Sequence, residues 1–389
     1  MLPACPPYPD ELASSALLRC ARHFNIALKS LVRATAQSSR RPRFLMTAPI
    51  GRLAELFQVQ PERLLWEHTA FPYASAFLPS AGFDEALRDA LNADHVTPLL
   101  SAVMHNASSG VEFRRYCPEC VSAELEQRGE SHWHVSHHLP AVWCCLKHGI
   151  YLHETKVEAR NFTKTHNILP HETSGRPLAR AKVSPVRMRL AQLSTALQTR
   201  SIGAGPIRDG SYYRQLAFDH AWLPAGGTIS DRAVHTLMKA RHSTALLRSA
   251  GLDPSTMAWS TLMMRPKVDT AQTTVKHVLL AELLTNPATG DWHAFTHRPS
   301  GPPPTSPDKL DDFYSERARG QLDSIRRRGE VLTTEAFLRR SSCLGTYRHR
   351  KAQLPKLRSV VLEFRSSGHS VKPLKPGSIL FRSLPGELT

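Results

Sequence analysis

The spacing of apolar residues near the amino terminus is typical of a helix with one buried face. Leu12, Ala16, Cys20 and Phe24 recur every four residues, which places them on the same side of a helix over residues 10–24. Asp10 follows a proline and is predicted to cap the start of this helix. The segment is therefore predicted to contribute to a hydrophobic core and not to a cofactor site.

A second pattern predicts two short helices joined by a tight turn over residues 50–69. Leu53 and Phe57 line the first helix, residues 58–60 form the turn, and Pro61 stands at the first position of the second helix, where its missing amide hydrogen costs nothing. Two helices in this arrangement are the outline of a helix-turn-helix.

The charges on that predicted helix-turn-helix are mixed. In a DNA-reading version, Arg63 near the start of the second helix would reach the major groove and Arg52 would contact a phosphate. Three glutamates oppose these cations: Glu55, Glu62 and Glu67. The pattern therefore favours packing or partner binding over base reading.

The rest of the chain alternates helical patterns with connecting segments. We expect an irregular connection over 71–95 that ends in a helix starting near Asp84, and a linker over 156–186 that marks a domain boundary. Helical periodicity returns over 187–284, and the proline-rich stretch 298–307 reads as a stiff linker.

A small basic helical module is predicted after the proline-rich stretch. Its helices are expected over 313–328, 333–340 and 347–354. The third would project basic side chains as a recognition helix does. The predicted DNA contacts in this module are Arg339, Arg340, Arg348, Arg350 and Lys351.

Four residues in the middle of the chain have the spacing of a structural zinc site. Cys117 and Cys120 form one chelating pair, and Cys145 and His148 form another after 24 intervening residues. Zinc takes four such ligands in a tetrahedron, and two short pairs supply them. Because four protein ligands leave no position for an activated water, one structural Zn²⁺ per chain is predicted, not a catalytic one.

Other potential ligands crowd the same stretch. Cys144 adjoins the second pair, and whether it can replace Cys145 stays open. Four histidines stand between the pairs: His132, His134, His137 and His138. Buried, hydrogen-bonded roles are favoured for them over a role as supporting or alternate ligands.

The charge of the chain points to a polyanionic partner. There are 50 Lys and Arg residues against 33 Asp and Glu, a formal charge of +17, which predicts salt-sensitive attraction to nucleic acid. The excess is concentrated at the end, because residues 337–389 hold eleven basic and two acidic residues. Contact with DNA phosphates is therefore predicted for this tail.

Several classes of protein are excluded by the sequence. No apolar stretch approaches the roughly 18 residues of a membrane span, and seven cysteines suit a reducing compartment better than a disulfide framework, so a cytoplasmic location is expected. A zinc nucleobase deaminase would need an upstream H-x-E and only three protein ligands. A transposase would need an acidic triad, which cannot be recognised.

The residues around the ligand pairs resemble a known family. Tyr116 to Cys120, Trp133-His134, His137 before Leu139-Pro140, and Cys145 to Gly149 are similar to the TniQ/TnsD family of bacterial transposition proteins. Matching segments flank them at 7–12 and 71–79. Residues 212–214 and 276–280 resemble the later part of the TnsD branch, although Thr274-Val275 replace an expected His-Pro pair.

The resemblance implies a function without catalysis. Members of this family choose the insertion site of a transposon, while separate proteins cut and join DNA. It implies double-stranded DNA, a TnsC-type AAA+ ATPase and, indirectly, the transposase as partners. Some relatives instead dock on an RNA-guided CRISPR complex, and this alternative stays open.

These observations predict a mainly α, multi-domain protein. A helical domain with a helix-turn-helix-like segment is expected over 1–110 and a zinc finger over 111–155. A helical TnsD-like domain is expected over 187–297 and a basic, helix-turn-helix-like carboxy-terminal module over 308–389.

Overall fold

A computed structural model of the chain describes most of its residues. The described residues are 5–35, 44–45, 50–92, 97–159, 167–200, 213, 231–265, 272–284, 307–329, 331–341, 343–344, 347–348 and 351–371. They are mainly helical, as predicted. They fall into two compact units: the first takes the described residues from 5 to 283 apart from Tyr213, and the second includes all those from 307 onward.

The first unit contains most of the helices and one small sheet. Its helices are α1 (Ala13–His23), α2 (Leu28–Thr35), α3 (Ile50–Phe57), α4 (Pro61–Glu67), α5 (Phe71–Ala74), α6 (Ser80–Asn92), α7 (Pro98–Ser108), α8 (Pro118–Arg128), α9 (Pro185–Gln198), α10 (Asp231–Arg241), α11 (Thr244–Ser249), α12 (Ala258–Leu262) and α13 (Thr274–Leu284). Its strands are β1 (Phe113–Tyr116), β2 (His153–Glu158) and β3 (Gly175–Pro177).

The helix predicted near the amino terminus is present as α1, but it does not begin where the sequence predicts. The helix begins at Ala13, and its residues 13–21 are all buried. Asp10 is not the cap, because its φ of 59° lies in the left-handed region, outside the extended conformation that a capping residue adopts. The Asp10 carboxylate is used elsewhere: it accepts a hydrogen bond from the Ser136 amide at 3.1 Å.

The predicted helix-turn-helix outline is present as α3 and α4. Gln58 turns the chain with a φ of 55°, and Pro61 opens α4. The buried face of α4 includes Trp66, whose Nε1 donates to the Arg200 carbonyl at 2.6 Å. Gln198 at the end of α9 donates to the Thr69 carbonyl at 2.8 Å. Helix α4 is therefore anchored to α9 through its last turn.

Two connecting segments contain more regular structure than predicted. The helix expected near Asp84 begins earlier, at Ser80, and a short helix already covers 71–74. The expected linker 156–186 contains β3, which pairs antiparallel with β2 through the register Glu154↔Arg176. Three residues are enough to extend an existing sheet, and so short a strand leaves no periodic signal in the sequence.

The second unit is a small helical module with its own core. Its helices are α14 (Pro307–Arg328), α15 (Thr334–Arg340) and α16 (Pro355–Ser366), and its short strands β4 (Leu332–Thr333) and β5 (Ser370–Val371) pair in parallel. The rings of Phe337 and Phe364 stack in this core with centroids 4.2 Å apart.

The third helix of this module differs from the prediction. Tyr347 and Arg348 are helical, but a 3-10 turn follows at Lys351–Gln353, and Leu354 is not helical. A residue before proline avoids the helical region, so α16 starts afresh at Pro355. Helix α16 therefore begins after the segment 347–354, where the recognition helix was predicted.

Candidate metal centre

The first ligand pair lies where strand β1 turns into helix α8. Cys117 directly follows the strand and precedes Pro118, the first residue of α8. Cys120 lies in the first turn of the helix, and both thiols are buried. The strand end and the helix start therefore hold the two sulfur atoms on one side of the backbone.

The second ligand pair lies on a tight turn. The Cys145 amide donates to the Ile150 carbonyl at 2.9 Å, and the Gly149 amide donates back to the Cys145 carbonyl at 2.9 Å. Gly149 has a φ of 66°, which favours glycine. This turn brings His148 back toward Cys145.

The two pairs meet as the sequence predicts. His148 Nδ1 lies 3.3 Å from Cys117 Sγ, 3.4 Å from Cys120 Sγ and 3.6 Å from Cys145 Sγ. Cys120 Sγ and Cys145 Sγ are 3.7 Å apart. All four ligand atoms lie within 4.8 Å of one another, so Cys117, Cys120, Cys145 and His148 form one cluster that could hold a metal ion.

These separations fit tetrahedral coordination. Bond lengths of about 2.3 Å to sulfur and about 2.0 Å to nitrogen give edges of roughly 3.8 Å between two sulfurs and roughly 3.5 Å between sulfur and nitrogen. The Cys120–Cys145 distance and the distances from His148 to the three sulfur atoms lie within about 0.2 Å of these edges. Donor number and spacing therefore match a closed four-ligand centre.

A buried histidine adjoins the cluster without belonging to it. His137 is only 4% exposed. The pKa of the Cys145 thiol is lowered mainly by hydrogen bonds with Cys117 and Cys120, and an interaction with His137 adds to this effect. Burial lowers the pKa of His137 itself. His137 is therefore buried, as the favoured interpretation expected, and a supporting role for it toward the cluster stays a prediction.

Cys144 does not point into the cluster. Its Sγ lies 3.6 Å from the Arg187 carbonyl, its backbone pairs with Tyr151, and burial raises the pKa of its thiol to about 12. The side chain is therefore a neutral thiol facing α9, on the far side of the backbone from its neighbour Cys145.

A buried arginine supports the sheet behind the ligands. The Arg115 side chain is fully enclosed, with Nε 3.1 Å from Glu154 Oε2 and Nη1 3.2 Å from the Val142 carbonyl. Its amide donates to His138 Nε2 at 3.0 Å, and His138 Nδ1 donates to the His134 carbonyl at 2.6 Å. No sequence pattern singles out Arg115 or Glu154, because their pairing depends on sheet register.

The amino-terminal segment is bound to the segment between the ligand pairs. The Leu12 amide donates to the Trp133 carbonyl at 2.8 Å, and the Val135 amide donates to the Asp10 carbonyl at 2.7 Å. His134 lies between two carboxylates, with Nδ1 3.1 Å from Asp10 and Nε2 2.6 Å from Glu124. Burial favours a neutral ring, but these two contacts prevail and raise the pKa of His134 to about 9.

Glu124 is a residue of this region that sequence reasoning missed. It is buried on α8, one turn after Cys120. That four-residue spacing puts both side chains on the same face of a helix. The spacing from Cys120 is the feature of the sequence that could have indicated Glu124.

The predicted DNA contacts are only partly described. Arg63 is exposed and pairs with Glu67 on the same helix at 2.9 Å, and Arg348 is exposed and pairs with Glu335 at 2.9 Å. Arg52 is half-buried. The side chains of Arg339, Arg340 and Lys351, and all of Arg350, lie outside the described residues. DNA contact by these seven residues stays a prediction.

Membrane insertion was not expected from the sequence. Among the residues that the structure describes, no helix is long and apolar enough to cross a membrane.

The fold and the cluster define a mainly helical protein with a group of three cysteines and one histidine that could hold a metal ion. Residues 2–152 match the TniQ family model. A stretch of 92 residues is 37% identical to the Tn7 transposition protein TnsD of Escherichia coli, and it covers 23% of this chain and 18% of TnsD. These matches confirm the resemblance to the TniQ/TnsD family. The shared stretch is a small part of the relative's length.

Proposed function

We propose that this chain is a non-catalytic target selector for DNA transposition. The observation that carries the proposal is the position of the family match: residues 2–152 enclose all four cluster residues, and also the amino-terminal segment, which is hydrogen-bonded to the segment between the two ligand pairs. The part of the chain that matches the family therefore contains the cysteine cluster.

The metal centre has a structural role in this proposal. Three cysteines and one histidine are a donor set that Zn²⁺ prefers, and four protein ligands leave no open position for a reacting water. Cys117, Cys120, Cys145 and His148 would hold one Zn²⁺, which stabilises the junction of β1, α8 and the Cys145 turn. The selector would then offer a rigid surface to its partners.

The proposed partners are double-stranded DNA and a TnsC-type AAA+ ATPase that passes the site to the transposase. The charge of +17 supports DNA as a partner. The surface of α4 gives less support to base reading there, because Glu62 and Glu67 flank Arg63. Phosphate contact is therefore assigned to the basic carboxy-terminal module.

The proposal is tested by mapping insertions in cells that carry the transposon with and without this chain. We expect insertions at a defined site with the chain present, and loss of that site without it. Purified chain and ATPase should also assemble on a duplex bearing that site. Unchanged insertion sites in cells lacking the chain would exclude a selector role.

The same assembly assay separates the alternative adapter role. Assembly on bare duplex supports direct DNA binding by this chain. Assembly only after a CRISPR guide complex is added would instead assign target choice to the guide RNA, with this chain as the adapter.

A further inference from the structure

Three potential metal ligands converge outside the cysteine cluster. Glu124 from α8, with His132 and His134 from the segment that follows, each place one ligand atom within 4.8 Å of the others. His132 Nδ1 lies 3.4 Å from Glu124 Oε2, and His134 Nε2 lies 2.6 Å from Glu124 Oε1. None of the three belongs to the Cys117, Cys120, Cys145 and His148 cluster.

The buried ring of His132 lacks the hydrogen bonds that a buried histidine normally makes, which indicates that a ligand can bind here. The residue is only 2% exposed, yet neither ring nitrogen has a hydrogen-bond partner of good geometry. An interaction with the Pro9 backbone opposes, without overcoming, the effect of burial on the pKa of His132. A buried polar group without a hydrogen-bond partner destabilises the folded chain. Burial also lowers the pKa of His132 to about 2, so the ring is neutral and its lone pair is available.

His134 is oriented as a metal-binding histidine is. Its Nδ1 contacts the Asp10 carboxylate at 3.1 Å, while its Nε2 faces Glu124. Histidine ligands usually donate their second ring nitrogen to a carboxylate or carbonyl, which fixes the ring and makes the ligand nitrogen more basic. Asp10 supplies that support here.

We propose that Glu124, His132 and His134 form a second metal site, which takes a divalent transition ion and most favourably Zn²⁺. Two imidazoles and one carboxylate suit zinc, whereas Ca²⁺ and Mg²⁺ prefer oxygen donors alone. A ring nitrogen of His132, which has no hydrogen-bond partner, would coordinate the ion. The ion would also replace the proton that lies between His134 Nε2 and Glu124 Oε1. It would thereby fasten the amino-terminal segment at Asp10 to α8.

The surrounding charges are compatible with a bound cation. Arg19 and Arg128 both act electrostatically on His132. Arg19 is already neutralised by Glu11 at 3.0 Å and Glu130 at 3.5 Å, and the exposed Arg128 lies over the Tyr8 ring, 4.5 Å from its centroid. Two carboxylates, those of Asp10 and Glu124, face His134 directly.

The test is the Zn²⁺ content of the purified full chain after incubation with excess Zn²⁺ and removal of free metal, followed by exchange of the bound ions for Co²⁺. Wild type should bind two ions. One develops a thiolate-to-cobalt charge-transfer band, and the other binds without increasing that band, because it has no sulfur ligand. A wild type that saturates with one ion and shows only the thiolate-linked signal overturns the proposal, whatever the variants do.

Variants locate the second ion. Glu124→Gln and His132→Asn should each bind one ion and retain the full charge-transfer band. Glu126→Gln, exposed on the same helix, and His105→Asn, an exposed histidine, should still bind two. Retention of the second ion in both Glu124→Gln and His132→Asn would overturn the assignment. The result does not depend on the proposed function, because it measures metal content alone.

Discussion

The backbone amide of Leu12 donates a hydrogen bond to the carbonyl of Trp133 at 2.8 Å. These two residues are 121 positions apart, and the contact joins the start of α1 to the segment between the two ligand pairs. The Glu11↔His134 bridge lies beside it. Loss of the metal centre should therefore disturb α1 as well as the ligand turns.

The first prediction concerns this coupling. Cys120→Ser should lose the metal of the cysteine cluster, lower the solubility of the protein, and raise amide hydrogen exchange in α1 as well as in α8, because metal binding supplies about 10 kcal/mol or more in structural zinc sites. Hydrogen exchange with mass spectrometry on the full chain measures this.

Cys144→Ser is the matched control for Cys120→Ser. It replaces a buried thiol that lies beside the cluster but faces Arg187, so the thiolate-to-cobalt band should persist. Equal exchange in α1 for Cys120→Ser and wild type would show that the metal centre does not support the amino-terminal helices.

The second prediction concerns the buried pair of Glu11 and Arg19. The two side chains are 0% and 3% exposed and 3.0 Å apart. Glu11→Gln leaves the buried Arg19 charge with only the more distant Glu130, at 3.5 Å, so unfolding free energy should fall by about 3 kcal/mol. Denaturant unfolding measures the loss.

An exposed ion pair provides the comparison for Glu11→Gln. Arg63→Ala breaks the exposed contact with Glu67 and should cost at most about 1 kcal/mol, because solvent already screens that pair. Similar losses for the two variants would contradict the distinction between buried and exposed pairs.

The third prediction concerns pH. His242 is fully buried and its Nε2 lies 3.1 Å from the Leu279 carbonyl. Burial lowers the pKa of His242 to about 4, although Glu282 opposes this effect. The unfolded chain binds a proton below about pH 6.5 while the folded chain does not, so stability is lost as pH falls from 6.5 toward 4. The loss attributable to His242 should approach about 3 kcal/mol.

His242→Gln tests this because glutamine can donate to Leu279 but cannot titrate. Thermal melting of both proteins between pH 4 and pH 7 should show a steeper decline for wild type. Parallel curves for the two proteins would mean that other groups cause the acid sensitivity.

The fourth prediction concerns the basic tail. Replacing Arg339, Arg340, Arg348, Arg350 and Lys351 with alanine should weaken duplex binding for all sequences. It should flatten the dependence of log affinity on log salt concentration by about 0.9 for each phosphate that the variant no longer neutralises. Duplex affinity at several salt concentrations measures both effects.

A variant with the same charge change separates specific binding by the tail from net charge. Five exposed cations of the first unit can be replaced together: Lys147, Lys156, Arg176, Arg180 and Lys182. If this control variant loses as much affinity and salt dependence as the tail variant, the tail is only one part of a diffuse positive surface.

The sequence by itself determined the cysteine cluster and most helices. Ligand spacing in Cys117, Cys120, Cys145 and His148 is a local property, because each pair lies on a short turn whose geometry depends on few residues. Helices such as α9 and α10 follow from the periodicity of their own apolar residues. Helix α16, which was not predicted, has the same apolar periodicity in residues that are all buried: Leu357, Val360, Val361 and Phe364.

The tertiary structure alone decided which distant polar residues meet. Asp10 reads as a helix cap, and only its left-handed backbone and its contacts with His134 and Ser136 assign it to the segment between the ligand pairs. Glu124 and His132 converge because α8 folds back against that segment. Such pairings depend on sheet register, helix rotation and burial, which are properties of the folded chain and leave no fixed spacing in the sequence.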